Sequence, residues 1–198
     1  EALAENKIFY KVFNISPTYR GSQKLYLYDC DFNTGTEAPL VFTGWDLKRL
    51  NMTGCTVNTD LVFENCRQSG SYPLLFENNL FGGKLEFNGD LSLENIAFND
   101  CRFNHQLLFE TGVNQIAVQN SRFIADTLAF GSNAGQTRWQ FSLSGQQAEE
   151  VTITGCRFSN DRMPNVYSVN LANAVLDKLV LLHTGLGTLD FSNTKVEK

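Results

Sequence analysis

The 198-residue sequence has only two histidines, His105 and His183, and a formal net charge of only −5. Two isolated histidines are too few for a zinc site, which needs three or four clustered ligands. No stretch approaches the ~18 consecutive apolar residues of a membrane span. Gly82-Gly83 and the Gly185 to Gly187 segment lack the context of a phosphate loop or a nucleophile elbow. We therefore expect no metal, no cofactor and no membrane insertion.

What the sequence contains instead is an internal repeat. Residues 96–103 (IAFNDCRF) return as residues 116–123 (IAVQNSRF) and again as residues 151–158 (VTITGCRF). Weaker copies begin at Leu25, Leu50, Leu74 and Leu179, so the seven starts lie 20 to 35 residues apart. This period predicts one solenoid coil per repeat. A second short apolar element follows each start, at residues 40–42, 61–63, 85–87, 107–109, 139–141, 167–169 and 189–191.

The alternation of apolar and polar residues within each element is typical of strands, and Asn, Asp and Gly fall between the elements, where the chain must turn. A helix would need an i, i+3, i+4, i+7 stripe, which the sequence never sustains. We therefore predict an all-β fold, a right-handed parallel β-helix of about seven coils of 20–25 residues. Residues 25–198 form a single β-helix domain, and residues 1–24 are an N-terminal cap or a first irregular coil. Within the latter, residues 8–13 are expected to form a strand or a short helix.

Four of the five cysteines occupy one slot of the repeat. Cys30, Cys55, Cys101 and Cys156 precede a polar residue and an apolar residue, whereas Asn79 and Ser121 fill the same slot in two other copies. We interpret this slot as a packing column of reduced thiols, which favours a cytoplasmic protein over a secreted disulfide framework. A bridge between Cys30 and Cys55, which would lie in adjacent coils, is the alternative.

A five-residue spacing of apolar residues resembles that of pentapeptide-repeat proteins. It runs through Phe98, Phe103, Leu108, Val113, Val118, Phe123 and Leu128, and again through Leu27, Phe32, Phe42, Leu47, Met52 and Val57. The resemblance covers about a third of the chain well. It implies square coils with four faces and a non-enzymatic interaction surface. Residues 151–160 also resemble the repeats of pectate-lyase-type β-helices, which implies lyases, hydrolases or glycan-binding proteins.

Three arginines are the candidate binding residues. Arg102, Arg122 and Arg157 each stand between a small residue and a phenylalanine, so stacking should direct them outward in one line. Such a row suits a polyanion or an acidic partner surface. The alternative, which we favour here, is that neighbouring Asp and Glu rows neutralise the arginines.

An insertion from Gly131 to Glu150 accounts for the longest interval between starts. Insertions in solenoids form loops on one face, so Arg138 and Trp139 are further candidate binding residues. Alternatively, Trp139 packs as a strand residue beside Phe141. A second insertion, from Asp161 to Asn165, follows one coil later.

Catalysis is not expected. Acidic pairs such as Asp29 with Asp31, or Asp100 with Glu77, are more typical of solvated solenoid corners than of catalytic carboxylates. We expect a non-enzymatic interaction or scaffold module of a larger protein, with another protein as its unidentified partner, and either a monomer or an end-to-end dimer. One alternative is a DNA mimic that binds a topoisomerase. Seven coils at ~4.8 Å give a rod on the order of 34 Å, and a duplex of that length carries about 20 negative charges, whereas this chain has a net charge of −5. Another alternative is a β-helix that binds or cleaves a glycan. Nucleic acid is not an expected partner.

Overall fold

The chain winds as a right-handed parallel β-helix in its computed structural model, and the regular structure of the described residues is entirely strand. The structure describes residues 2–5, 7–10, 14–15, 23–33, 38–89, 93–124, 138–159 and 166–197. Short strands form three parallel sheets, here named A, B and C, and the chain visits them in that order in each coil before the last, which has strands only in sheets A and C. The predicted fold class is confirmed.

Sheet A is the widest of the three. Its strands are β1 (Ala2–Glu5), β4 (Gln23–Tyr28), β7 (Asp46–Thr53), β10 (Arg67–Gln68), β11 (Leu74–Glu77), β14 (Leu93–Asn99), β17 (Val113–Gln119), β20 (Gln147–Thr154), β23 (Val175–Leu182) and β25 (Lys195–Val196).

Sheets B and C complete each coil with shorter strands. Sheet B contains β2 (Ile8–Tyr10), β5 (Asp31–Asn33), β8 (Thr56–Val57), β12 (Leu80–Phe81), β15 (Arg102–Phe103), β18 (Arg122–Ile124) and β21 (Arg157–Ser159). Sheet C contains β3 (Asn14–Ile15), β6 (Leu40–Thr43), β9 (Leu61–Glu64), β13 (Leu85–Asn88), β16 (Leu107–Phe109), β19 (Arg138–Ser142), β22 (Val166–Asn170) and β24 (Leu189–Asp190).

The repeat starts form one column of sheet A. Each start pairs in register with the start of the next coil, so that an apolar residue always lies above an apolar residue. The column runs Leu25, Leu50, Leu74, Ile96, Ile116, Val151 and Leu179. The predicted repeat alignment is therefore confirmed at every start.

Phenylalanine rings fill much of the core and form two long stacks, beside a stacked pair of Phe76 and Phe98 on sheet A. On sheet B, the centroid of Phe103 lies 5.1 Å from that of Phe81 and 4.5 Å from that of Phe123, and Phe158 continues the stack at 4.3 Å. On sheet C, Phe42, Phe63, Phe87 and Phe109 stack at 5.1 to 5.2 Å. Such ring pairs contribute about 0.5–1.5 kcal/mol each beyond the burial of their area.

The turn from sheet A to sheet B repeats a two-residue device. Its first residue has a positive φ, as at Asp100 (53°) and Asn120 (49°), a conformation that Asp, Asn and Gly adopt most readily. Its second residue is small and buried, and this position holds the predicted cysteine column. All five cysteines are free, including Cys30 and Cys55, and the remaining thiol, Cys66, is buried after a strand of sheet C.

Asn79 takes the place of cysteine in this column and forms two hydrogen bonds. Its side-chain Nδ2 donates to the Met52 carbonyl at 2.7 Å, and its Oδ1 accepts from the Cys55 backbone N–H at 2.8 Å. Both bonds reach the preceding coil. Because Asn79 is buried, these bonds are shielded from water and tie two successive turns together.

The structure corrects the five-residue spacing at one position. Leu107 and Phe109 point into the core, whereas Leu108, which the spacing placed inside, is only half-buried. The reason is that strand alternation continues through β16. The residues from Leu27 to Val57 in the second run are all buried as predicted, and Leu128 lies outside the described residues.

The register predicted for sheet C is wrong after β16. Leu107 pairs with Phe141, and Val169 pairs with Leu189, so the elements that begin at residues 139 and 167 are shifted by two residues. A shift of two leaves the same side chains facing the core, and the apolar pattern alone therefore cannot detect it.

The predicted insertion boundaries also change. Residues 138–150 belong largely to β19 and β20 rather than to a loop, so the extra residues of this coil fall within 125–137, which lie outside the described residues. The Asp161 to Asn165 insertion lies outside them too. At the N-terminal end, β1, β2 and β3 pair with β4, β5 and β6, and residues 8–10 are strand.

The assignment of inward and outward positions predicts unequal effects of two adjacent substitutions. Phe103→Ala should lower the free energy of unfolding by about 3–5 kcal/mol, because it removes a ring from the core stack. Arg102→Ala should change it by less than about 0.5 kcal/mol, because the side chain is exposed. Urea unfolding of both variants would measure this, and equal losses would contradict the assignment.

The buried column predicts a second stability difference. Asn79→Ala should lower the free energy of unfolding by about 1–3 kcal/mol for each backbone group left without a partner, which are the Cys55 N–H and the Met52 carbonyl. Asn79→Ser is the matched control, because Ser121 occupies the same column and its Oγ accepts from the Cys101 N–H at 3.1 Å. We expect a smaller loss for Ser than for Ala in urea unfolding, and equal losses would mean that the amide contributes only volume.

Candidate functional site

Sheet B holds the three arginines of the repeat in one line, here called the arginine row. Arg102 pairs with Arg122, and Arg122 pairs with Arg157, in three successive strands. All three side chains are exposed, while the following residues, Phe103, Phe123 and Phe158, are buried in the ring stack. The stack therefore determines where the arginines point.

Close contacts form in the turns beside the arginine row, and strand pairing sets the spacing of the row. Gly155 has a φ of +64°, and a Cβ built there would lie 2.6 Å from the Asn120 Oδ1. A larger residue here would have to adopt a positive φ and would displace the Asn120 side chain. Since neighbouring strands of one sheet lie about 4.8 Å apart, the backbones of successive arginines in the row are separated by that distance.

No carboxylate neutralises the arginine row among the described residues. The ion pairs there join Arg67 to Asp46, Lys84 to Glu86, and Lys178 to Glu150. Arg102 instead donates from Nε to the Asn104 Oδ1 at 2.9 Å. The described residues thus form none of the direct ion pairs that the favoured prediction expected, and neutralisation by acidic rows stays a prediction for the rest of the chain.

The residues that surround the row explain this result. The last strand residues of sheet A before the turns are Asn99, Gln119 and Thr154, which are uncharged. The turns contribute Asp100, Asn120 and Gly155, so one carboxylate adjoins three guanidinium groups. Like charges at this spacing repel one another, and an anionic partner would relieve that repulsion.

The other two candidate binding residues lie on a different sheet. Arg138 and Trp139 belong to β19 of sheet C, where Arg138 pairs with Val166 and Trp139 pairs with Tyr167. The Trp139 ring is half-buried, with its centroid 5.0 Å from that of Tyr167, and its carbonyl accepts a hydrogen bond from Gln106. Trp139 is thus a strand residue, and the structure does not bring this pair to the arginine row.

A second charged column lies at the opposite edge of sheet A, and the sequence analysis missed it. Glu94, Asn114, Glu149 and Asp177, here called the acidic column, each stand two residues before a repeat start. They line a surface groove of about 410 Å³, in which Asn114 donates to the Glu94 Oε2 at 2.7 Å. Counting back two residues from each repeat start would have located this column in the sequence. The acidic pattern is interrupted in an earlier coil, where Lys48 occupies the same position.

An aromatic cluster at the N-terminal end of sheet A was also missed. The Arg49 guanidinium lies 5.9 Å from the Tyr26 ring and 5.1 Å from the Tyr72 ring, and Tyr26 stacks on Tyr28 at 6.2 Å. Tyr26 and Tyr28 are alternate residues of one strand and therefore share its outward face. Their spacing was visible in the sequence, but the approach of Tyr72 depends on the loop from residue 69 to residue 73.

The candidate catalytic and metal-binding residues do not converge. Asp29 and Asp100 are turn residues with positive φ, Glu77 is an exposed residue of β11, and His183 is an exposed turn residue of the last described coil. Within the described ranges, no group of three or more His, Cys, Asp or Glu side chains could hold a metal ion. No helix in the same part of the chain is long and apolar enough to cross a membrane.

Comparisons with known proteins give no relative: no protein-family model matches the sequence, and no curated protein or solved structure matches it. The fold is established here by strand pairing and register alone. Membership of the pentapeptide-repeat group stays a prediction.

The cysteine column predicts inert thiols. Burial raises the pKa of Cys55 and Cys101 to about 12 and that of Cys66 to about 11. Since the thiolate is the reactive form, the native protein should react slowly with a thiol reagent at pH 8, and all five cysteines should react in denaturant. Fast reaction of the native protein would contradict the burial.

The same shifts predict how stability depends on pH. The folded pKa exceeds the ordinary value of 9.0, so only the unfolded chain releases these protons just above pH 9. The thiols therefore contribute fully to stability below pH 9, and that contribution is lost as the pH rises toward 12. Urea unfolding between pH 8 and pH 10.5 should show the decline, and the corresponding Cys55→Ser variant should show a smaller one.

Proposed function

We propose that this chain is a non-enzymatic protein-interaction module that binds an acidic partner through the arginine row. The observation that carries the proposal is the exposed line of Arg102, Arg122 and Arg157 without a carboxylate partner among the described residues. Guanidinium groups recognise carboxylates and phosphates with paired, planar hydrogen bonds, which makes arginine the residue best suited to such a surface.

Rigidity adds to the fitness of the row for binding. The backbone under each arginine is fixed by pairing on both sides, since Arg157 also bridges to Gly185 in the coil above. The ring stack beneath holds the strands at a constant separation. A partner therefore meets a prearranged set of charges, and less ordering cost opposes the binding.

The alternatives receive less support. A DNA mimic needs a dense negative surface, whereas the net charge is −5 and the most regular exposed row is cationic. A glycan-active β-helix could use the groove along the acidic column, and this is the observation in its favour. We further propose a cytoplasmic location, which the five unbridged buried thiols support.

The test is a pull-down from cell lysate with the wild-type protein and with the Arg102→Ala/Arg122→Ala/Arg157→Ala variant, followed by mass spectrometry. We expect a partner with an acidic surface that the variant loses and that 0.5 M salt releases, because salt screens exposed charges. The matched control is Lys7→Ala/Lys48→Ala/Lys195→Ala, which removes the same charge from exposed positions elsewhere. A partner list that the row variant leaves unchanged would overturn the proposal.

A further inference from the structure

Residues 69–73 are an insertion in sheet A. Gln68 pairs with Leu47, and Leu74 pairs with Leu50, so these five residues stand where the preceding coil has only residues 48–49. Insertions in a solenoid leave the stack intact and project as loops, which are common places for recognition. This loop is therefore a candidate binding element that the arginine row does not include.

The loop is held in place from both sides. Gln68 is buried, and its Nε2 donates to the Tyr72 carbonyl at 2.7 Å. Its Oε1 accepts from the backbone N–H groups of residues 94–95 in the following coil, at 3.0 Å each. On the other side, a Cβ built on Gly70 would overlap the Lys48 carbonyl, so this turn packs directly on the preceding coil. The position of Tyr72 is thus fixed before any partner binds.

The loop places Tyr72 against Arg49. The Arg49 Cζ lies 5.1 Å from the centroid of the Tyr72 ring and 5.9 Å from that of the Tyr26 ring. We call these three residues the tyrosine–arginine cluster. The Tyr72 side chain is 57% exposed, although it packs on a cation. Ring contacts stabilise the guanidinium charge without accepting its N–H groups in the ring plane of the guanidinium.

The hydrogen-bonding capacity of Arg49 is largely unused. Its Nε donates to the Asn51 Oδ1 at 3.4 Å, and no described residue accepts from its two terminal NH2 groups. The nearby carboxylate of Asp46 pairs with Arg67 instead. Lys24 stands beside Arg49 in the preceding strand and adds a second positive charge. An arginine of this kind complements a carboxylate, which accepts two parallel hydrogen bonds from it.

A groove of about 380 Å³ begins at Pro73, the residue after Tyr72. It is lined by the amide side chains of Asn95 and Gln115, which pair in register. No described residue forms a hydrogen bond with either of these side-chain amides. Ala97, which also lines the groove, is small and leaves room above the strand. An amide both donates and accepts, so this pair matches the N–H and C=O groups of a peptide backbone.

The cluster and the groove belong to one column. Arg49, Asn95 and Gln115 each stand directly before a repeat start. Three coil steps separate Arg49 from Gln115, which is roughly 14 Å at about 4.8 Å per step. An extended chain covers that distance in about four residues. A short segment therefore reaches Arg49 at one end and both amides at the other.

We propose that the tyrosine–arginine cluster and its groove bind an extended acidic segment of a partner protein. A carboxylate of the segment docks on Arg49 beside Tyr72, and its backbone bonds to the amides of Asn95 and Gln115. Tyrosine and arginine are the residue types that most often dominate the binding energy of protein interfaces. This site lies on sheet A and does not rest on the arginine row of sheet B.

A peptide fits the site better than a nucleic acid strand does. Glu94 adjoins the groove, and Glu150 lines it, so a continuous run of phosphates would be repelled there. A peptide with its acidic residue at the Arg49 end avoids both carboxylates. The wall of the groove between them is uncharged at Ala97 and Gln115.

The test selects phage-displayed random peptides of about 12 residues on the immobilised full chain. The most enriched peptide is then labelled, and its binding is measured by fluorescence anisotropy. We expect enriched peptides to share an Asp or Glu, and replacement of that residue by its amide to weaken binding about 10-fold. Tyr72→Ala and Arg49→Ala should each weaken binding about 10-fold as well. Arg49→Lys should also weaken it, because lysine keeps the charge and loses the planar fork.

The controls distinguish this site from the arginine row. Leu182→Ala/Arg102→Ala removes an exposed apolar side chain and a guanidinium elsewhere and should bind the peptide like the wild type. Urea unfolding should give similar stabilities for all variants. Peptides that bind the Tyr72 and Arg49 variants unchanged would overturn the inference. If those peptides were lost on the arginine-row triple variant, the proposed function would still stand.

Two further outcomes would overturn the inference. One is a selection without enrichment, or with enriched peptides that lack an acidic residue. The other is a labelled oligothymidylate of about 12 nucleotides that binds the wild type and is lost with Tyr72→Ala, since stacking of bases on tyrosine would then assign the site to a nucleic acid strand. Neither outcome depends on the partner list of the lysate pull-down.

Discussion

The structure depends on the in-register pairing of parallel strands between successive coils. Once Leu50 pairs with Leu25 and with Leu74, the next residues of these strands also stack on their equivalents in the neighbouring coils. Each interior side chain therefore has to fit against the equivalent side chains of the coils about 4.8 Å above and below it. This constraint produces the phenylalanine stacks, and it also produces the line of arginines, whose mutual repulsion is a direct cost of the same stacking.

The turn from sheet A to sheet B is where local and long-range interactions meet. A residue with positive φ changes the chain direction, and a small buried residue follows it. That small residue also reaches the coil before it: Asn79 bonds to Met52 and Cys55, and the Cys156 thiol donates to the Val118 carbonyl at 3.3 Å. Cysteine fills most of this column because it is small and apolar enough for the core and can still donate a weak hydrogen bond.

Much of this fold could be predicted from the sequence because its period is strong. The starts, the inward phenylalanines and the outward arginines follow from position in the repeat, and the structure places them as expected. The register of sheet C after Phe109 could not be predicted, since a shift of two residues keeps the inward pattern unchanged. The four-faced coil was expected from a spacing of five, and this spacing fails at Leu108, where strand alternation directs the neighbouring residues inward.

The candidate site was predictable in position and not in its electrostatics. The direction of Arg102 follows from Phe103, whereas the lack of a carboxylate partner depends on the residues that the turn brings near. Those neighbours, Asn99, Asn104 and Gln119, are uncharged. An acid at Asn104, whose Oδ1 accepts from the Arg102 Nε at 2.9 Å, would have formed the ion pair that is missing.

Other carboxylates of these coils, Glu94 and Glu149, lie at the far edge of sheet A, and the described residues contain no ion pair between them and the arginine row. The arginine row and the acidic column are thus separate and both face solvent. The electric field of each extends over about one Debye length and attracts an oppositely charged surface. Because both columns share the spacing of the coils, a surface with the same repeat satisfies all of the charges together. Irregular acidic surfaces would match one or two of them. Under the proposed function, an acidic partner with regularly spaced charges is therefore expected to bind the arginine row more tightly than an irregular partner with the same net charge.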